Sequence, residues 1–295
     1  MQSKIKGFLS FCYDDTESIE FQLFLITVKC LMPYEDNIGC IFDVKRYKKE
    51  VELFGLYMNG NDEVINYRLQ HEKPSNINDG LLEFKIIPVV ISNTVWENTI
   101  YELLKAVTFY TFNKNVILNA ILISSAIYEF MENGTIESIE ELTKERLINF
   151  SIIDFFTNNQ MSAEKNYIID FEKERIKLIS RPILFDDDTI DKYKALKYIF
   201  KKEGFIYDLN ASVGDESDSD NNPDILSSFS VYLYKLRKGT INPEKLKIQD
   251  KIPDIKECLK RPLFNHPLLG RCKVVRRTED YVIIRNKSGL MRIRI

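Results

Sequence analysis

The chain has 295 residues, enough to bury a sizeable core as one large domain or one domain with a small appendage. Its 44% hydrophobic and 29% charged content is that of a soluble globular protein, and the net charge of −3 excludes a general attraction to nucleic acid or to an anionic membrane. Five scattered cysteines (Cys12, Cys30, Cys40, Cys258, Cys272), no Cys-x-x-Cys pair and only two histidines exclude a thiolate or imidazole zinc site, and predict reduced, buried thiols in a cytoplasmic protein.

In chain order, Met1–Gly7 leads straight into Asp14 and Asp15, which is not the pattern of a signal peptide. Thr16–Met32 is apolar nearly all round and predicts a buried helix closed by Pro33; Glu20, Gln22 and Lys29 break the run, so it is too short to span a bilayer and no membrane partner is expected. Asp43–Leu56 predicts a more exposed helix. Asn98–Met131 predicts two helices separated at Asn113–Asn115, with Asn115 as the second N-cap and Gly134 as its stop. Further helices are predicted at about 136–150, 162–178, 189–203 and 224–237, the last between Pro223 and Gly239. Residues 209–222 read as an acidic polar loop. Residues 270–295 alternate with period two and predict three short antiparallel strands with breaks at Glu279-Asp280 and Ser288-Gly289. The class is therefore mainly α, a helical domain over 1–250 followed by a small basic β-rich tail over 262–295.

Chemistry narrows by elimination. No Gly-x-Ser-x-Gly elbow, P-loop or Gly-x-Gly-x-x-Gly occurs, and two histidines leave little for Ser–His or Cys–His catalysis. Carboxylates remain. Tyr13-Asp14-Asp15-Thr16-Glu17 precedes one strongly helical segment, and Asp215-Glu216-Ser217-Asp218-Ser219-Asp220-Asn221-Asn222 precedes another. Brought together, they would make an oxygen-rich cleft suited to a hard cation such as Mg²⁺. Each cluster is equally what a helix start uses for capping and dipole compensation, which is how Asp186-Asp187-Asp188-Thr189 reads.

Several stretches, in order, resemble the ADP-ribosylglycohydrolase family. Tyr13-Asp14-Asp15-Thr16 resembles its Thr-Asp-Asp-Thr motif. Asp79-Gly80 with Lys85-Ile86-Ile87-Pro88 resembles its Asn-Gly and Met-Arg-Ile-Ala-Pro segment, and Tyr110-Thr111-Phe112-Asn113 with the helix after it resembles its Thr-His segment. Asp218-Ser219-Asp220-Asn221-Asn222 resembles its Asp-Ala-Asp-Thr-Asn stretch, and Ile241-Asn242-Pro243-Glu244 its Ile-Pro-Glu turn. The matches cover about residues 12–247. The resemblance implies an all-α fold, up to two Mg²⁺ ions held by Asp14, Asp15, Asp218, Asp220 and Asn221, Asp15 and Asp220 as catalytic carboxylates, Asp79 and Lys85 against the bound ligand, and hydrolysis of an ADP-ribosyl linkage. The chain departs from the family where Tyr13 and Asn221 replace threonine ligands, Phe112 stands at the histidine and Lys85 at the arginine, and the glycine-rich first helix has no full counterpart. A second alignment, with Met1–Phe21 as that first helix, loses the Asp-Asp motif instead. These departures imply a divergent, partly degenerate member, whose alternative role is that of a catalytically inactive protein binding a protein or nucleic-acid partner.

The tail holds eight lysines or arginines against two acidic residues within 262–295. His266-Pro267-Leu268-Leu269-Gly270 leading into a strand resembles the small Tudor- or SH3-like barrels, with Tyr281 the one aromatic among its strands. Such a tail packs on its own domain with its cations in water, or contacts a protein or nucleic-acid partner through them.

Overall fold

The computed structural model describes residues 1–35, 38–182, 187–202, 225–246 and 252–295. Along the chain run α1 (Gln2–Cys12), α2 (Ile19–Val28), β1 (Leu31–Pro33), β2 (Cys40–Phe42), α3 (Val44–Phe54), α4 (Glu63–His71), α5 (Leu82–Ile91), α6 (Trp96–Thr108) and α7 (Lys114–Met131). They are followed by α8 (Ile136–Asn149), α9 (Ile152–Asn158), α10 (Lys165–Ile179), α11 (Asp187–Lys192), α12 (Lys194–Lys202), α13 (Ile225–Arg237) and α14 (Ile255–Leu259). The chain closes with β3 (Leu263–His266), β4 (Gly270–Arg277), β5 (Tyr281–Asn286) and β6 (Gly289–Arg294). Among the described residues no helix is long and apolar enough to cross a membrane.

Two helices form the centre. All ten residues of α5 are buried, and α7 is buried over most of its length, so neither has a solvent face. Helix α5 touches α2, α6, α7 and α13, and α7 touches α5, α6, α8 and α12. Pro88 lies inside α5 and cannot donate to the carbonyl of Phe84 one turn earlier. The Tyr13 hydroxyl does so instead, at 3.2 Å. Arg237 closes the other end of α5, donating to the carbonyls of Ile91 and Asn93 and pairing with Glu132. Helix α13 packs against both α1 and α5, while Tyr13 reaches one end of α5 and Arg237 the other.

Local expectations are corrected in instructive ways. Leu31 and Met32 do not extend α2; they form β1 and pair with Phe42 and Ile41, and the Phe42 amide is tied to Glu102 of α6. The cap of α7 is Asn113, whose Oδ1 accepts from the amides of Asn115 and Val116. Past the end of α7 the left-handed residue is Asn133 (φ 65°), not Gly134. The three strands expected within 270–295 are β4, β5 and β6, broken where expected, and β3 precedes them to give the meander order β3-β4-β5-β6, with a bulge between Val274 and Arg276. The sheet joins the helical body where the Arg294 amide donates to the Leu56 carbonyl at 2.9 Å. The acidic loop expected at 209–222 lies outside the described residues.

Candidate functional site

Two segments singled out by motif run side by side. The Ser75 amide donates to the Tyr110 carbonyl at 2.8 Å, and the Phe112 amide donates back to Ser75 at 2.9 Å. Asn113 Nδ2 adds a bond to the Asn76 carbonyl at 2.9 Å. This zipper sets Asn78 beside the first turn of α7 and opens a cleft of about 500 Å³ onto α10 and α11. Asn78, Asn113, Asn115 and Asn119 line one side, and Lys177, Arg181, Lys192 and Tyr193 the other, where Glu174 also lies, 3.7 Å from Lys177. Four amides and three cations suit a hydroxylated, anionic ligand, since the amides both donate and accept while the cations meet negative charge.

Behind the Asn78 wall lies a buried charge cluster. Lys85 Nζ is 2.6 Å from Asp62 and 2.8 Å from Asp79, with the Tyr110 ring centroid 4.6 Å away. Lys85 is 1% exposed and both carboxylates 3%. Burial pushes the Asp79 carboxyl above its usual range, opposed by Lys85 and reinforced by Asp62. Burial alone would lower the Lys85 ammonium, but Asp79 and Asp62 outweigh it and raise it. Asp79 Oδ1 also accepts from the Leu81 amide, which fixes the turn that presents Asn78. Expected to face a ligand, Asp79 and Lys85 are brought together, but each faces the other inside the core.

The first acidic motif sits at the neighbouring end of α5. Tyr13, the departure from threonine, is 1% exposed and packed against Phe21, Phe24 and Phe84. Asp14 and Asp15 follow on an exposed turn. Asp14 Oδ1 meets Lys194 Nζ at 2.8 Å, a bond that holds its carboxyl below the usual range. Asp15 Oδ1 accepts from the Glu17 amide at 2.8 Å. Glu83 stands between this motif and the cleft: its two oxygens accept from the amides of Lys194 and Ala195, capping α12 from another element. Burial raises the Glu83 carboxyl, while those two amides lower it. Tyr193, on the cleft wall, has its phenol pushed up by burial and then by the nearby Glu83 and Asp79 charges.

Asp218, Asp220 and Asn221 lie outside the described residues, as does Asp186. Phe229, one turn into α13, packs on Phe21 (6.1 Å between centroids) and Phe24 (5.3 Å), the rings that also hold Tyr13. Exposed carboxylate oxygens on the Asp14–Asp15 turn suit a hard cation, though an ion there would displace Lys194 from Asp14. Among the described residues no group of three His, Cys, Asp or Glu side chains is placed to hold a metal.

Residue patterns missed three participants. Asp62 was legible only as the start of α4, where its Oδ1 does accept from the amides of Val64 and Ile65. Glu83 lies in an apolar run that hides it, and Asn119 belongs to the buried α7 pattern. Comparisons with protein-family models, with curated proteins and with solved structures give no match for this chain.

Proposed function

We propose that the protein is a divergent ADP-ribosylglycohydrolase-like protein that takes an ADP-ribosyl group into the cleft between Asn78, α7 and α10. The observation that carries this reading is the convergence of the Asp79 and Asn113 segments, far apart in sequence, on one cleft whose opposite wall carries three cations against the single carboxylate of Glu174. Its volume, about 500 Å³, is within the range of about 300–1,000 Å³ usual for small-molecule sites. Arg181 and Lys192 would meet the diphosphate, and Asn78 and Asn119 the ribose hydroxyls, while Lys177 is paired with Glu174 and the Asn113 side chain holds the start of α7. Mg²⁺, held by Asp14 and Asp15 with Asp218, Asp220 and Asn221, would supply charge neutralisation and a polarised water. The position of α13 is compatible with that ligand set, because Asp220 is only five positions before Ile225, a span of at most about 18 Å.

A second reading, binding without turnover, is favoured by the inward placement of Tyr13 and Lys85, which removes two positions the family uses toward metal and ligand. Calorimetric titration of the full chain with ADP-ribose, with and without Mg²⁺, tests both. Binding should weaken about tenfold or more in Arg181→Ala/Lys192→Ala, a loss of about 1.4 kcal/mol. Release of ADP-ribose from a modified peptide, abolished in Asp15→Asn, supports the hydrolase; binding without release supports the second reading. No heat and no thermal shift with ADP-ribose would sink both.

A further inference from the structure

The register of the C-terminal sheet sorts its side chains onto two faces. Phe264, Cys272, Val282, Ile284 and Ile293 are buried on one. On the other stand Arg271, Lys273, Arg276, Arg285, Arg292 and Arg294, all exposed, with no acidic residue among the strand positions of that face. Lys273 is directly opposite Arg285, and Arg276 and Arg292 both oppose Ile283. Like charges facing each other across strands destabilise a sheet. Among the described residues none of the six is relieved by an ion pair. A chain of net charge −3 therefore concentrates unpaired positive charge on one surface.

That surface is not purely cationic. Across the four strands one row reads Leu263, Lys273, Arg285, Leu290, and the two leucines are 53% and 58% exposed. The guanidinium of Arg292 lies 3.8 Å from the centroid of the Tyr281 ring, at the border of a groove that Glu17, Glu279 and Asp280 also line. Rows lie about 4.8 Å apart between strands, and alternate cations about 6.7 Å apart along a strand. We propose that this face binds single-stranded nucleic acid, with phosphates on the six cations and bases against Tyr281, Arg292 and the exposed leucines. A duplex hides its bases and would leave the apolar groups without a partner, whereas a single strand offers π-faces as well as phosphates. Five of the six cations are arginines, whose planar fork meets a phosphate edge-on while its face stacks. The face shares no lining residue with the ADP-ribose cleft, although Tyr281, Arg292 and Arg294 border a second groove with Thr16 and Glu17 of the first acidic motif; substitutions at 285 and 292 leave every cleft residue in place, so the two readings fail independently.

The test is fluorescence anisotropy of the full chain with a labelled mixed-sequence 12-nucleotide RNA, and the same strand as DNA, titrated at several salt concentrations. Each neutralised phosphate contributes about −0.7 to the slope of log K against log salt, so a slope of about −3 to −4 is expected. Arg285→Glu/Arg292→Glu should lower that slope by about 1.4 and the affinity at least tenfold. The reversal at 285 places opposite charges across from Lys273, so the thermal midpoint should hold. Lys45→Glu on α3 should leave binding intact. Either RNA or DNA preference fits the proposal. It is overturned by absence of salt-dependent binding, by affinity unmoved in the double variant, by tighter binding of the duplex form, or by equal displacement with poly-glutamate.

Discussion

At the residue scale the protein is shaped by buried polar groups with one available solution each. Pro88 leaves the Phe84 carbonyl without its helical donor, and Tyr13 supplies one. An unpaired buried carbonyl costs about 1–3 kcal/mol, so Tyr13→Phe should lose that much. Pro88→Ala restores the helical amide and should shrink the Tyr13→Phe penalty in a double-mutant cycle followed by urea denaturation. An equal penalty in both backgrounds would show that the hydroxyl plays no such part. The Asp62–Lys85–Asp79 cluster has equally little freedom. Lys85→Met strands two carboxylates and should cost about 3–5 kcal/mol at neutral pH. The Asp79 carboxyl is already raised, so its contribution is greatest below the ordinary value of 3.8 and is lost as pH rises through the folded value. The Lys85→Met penalty should therefore shrink from pH 8 toward pH 5. Raised above 10.5, Lys85 in the native protein contributes fully below that pH and loses its contribution only as pH climbs through the folded value. A pH-independent Lys85→Met penalty would contradict this account.

At the element scale, caps decide where helices begin, and two of them also build the candidate site. Glu83 caps α12 through two amides although it belongs to α5. Glu83→Ala should cost about 1–2 kcal/mol and accelerate amide exchange over the first turn of α12, while exchange in α7 stays unchanged. Asn113 caps α7 and ties it to Asn76. Asn113→Ala should cost about 1 kcal/mol, read from the denaturation midpoint, and weaken ADP-ribose binding as well. The sequence announced such local features unevenly. Asp43, the expected start of its helix, caps α3 by accepting from the Arg46 amide, whereas α2 begins at Ser18, two residues after the expected Thr16, because the Ser18 hydroxyl accepts from the Phe21 amide. Helix α5 was not legible, since Pro88 and the largely apolar run give no amphipathic period, and the burial of all ten of its residues arises only from four neighbouring helices. The end of α2 was misread because Leu31 and Met32 suit helix and strand alike until Phe42 and Ile41 come alongside.

At the scale of the whole molecule, the tail and the helical body share one boundary, where β6 meets Leu56 and Ile293 is fully buried. Ile293→Ala should cost about 2–4 kcal/mol. Fluorescence of Trp96, the one tryptophan, lies far along the chain in α6, so its unfolding midpoint should fall with that of circular dichroism. A Trp96 midpoint unmoved by Ile293→Ala would mean that the sheet unfolds on its own. By itself the sequence determined the helical class, the strand-forming tail, most helix positions and the two acidic motifs, because hydrophobic period, caps and turn residues act within a few positions of one another. Only the tertiary structure decided that Lys85 and Asp79 face inward, that Asn78 and Asn119 share a cleft with Arg181, and that six cations of the tail point the same way. Those outcomes depend on which distant segments pack together, and on burial, which sets whether a charge meets a ligand or another charge.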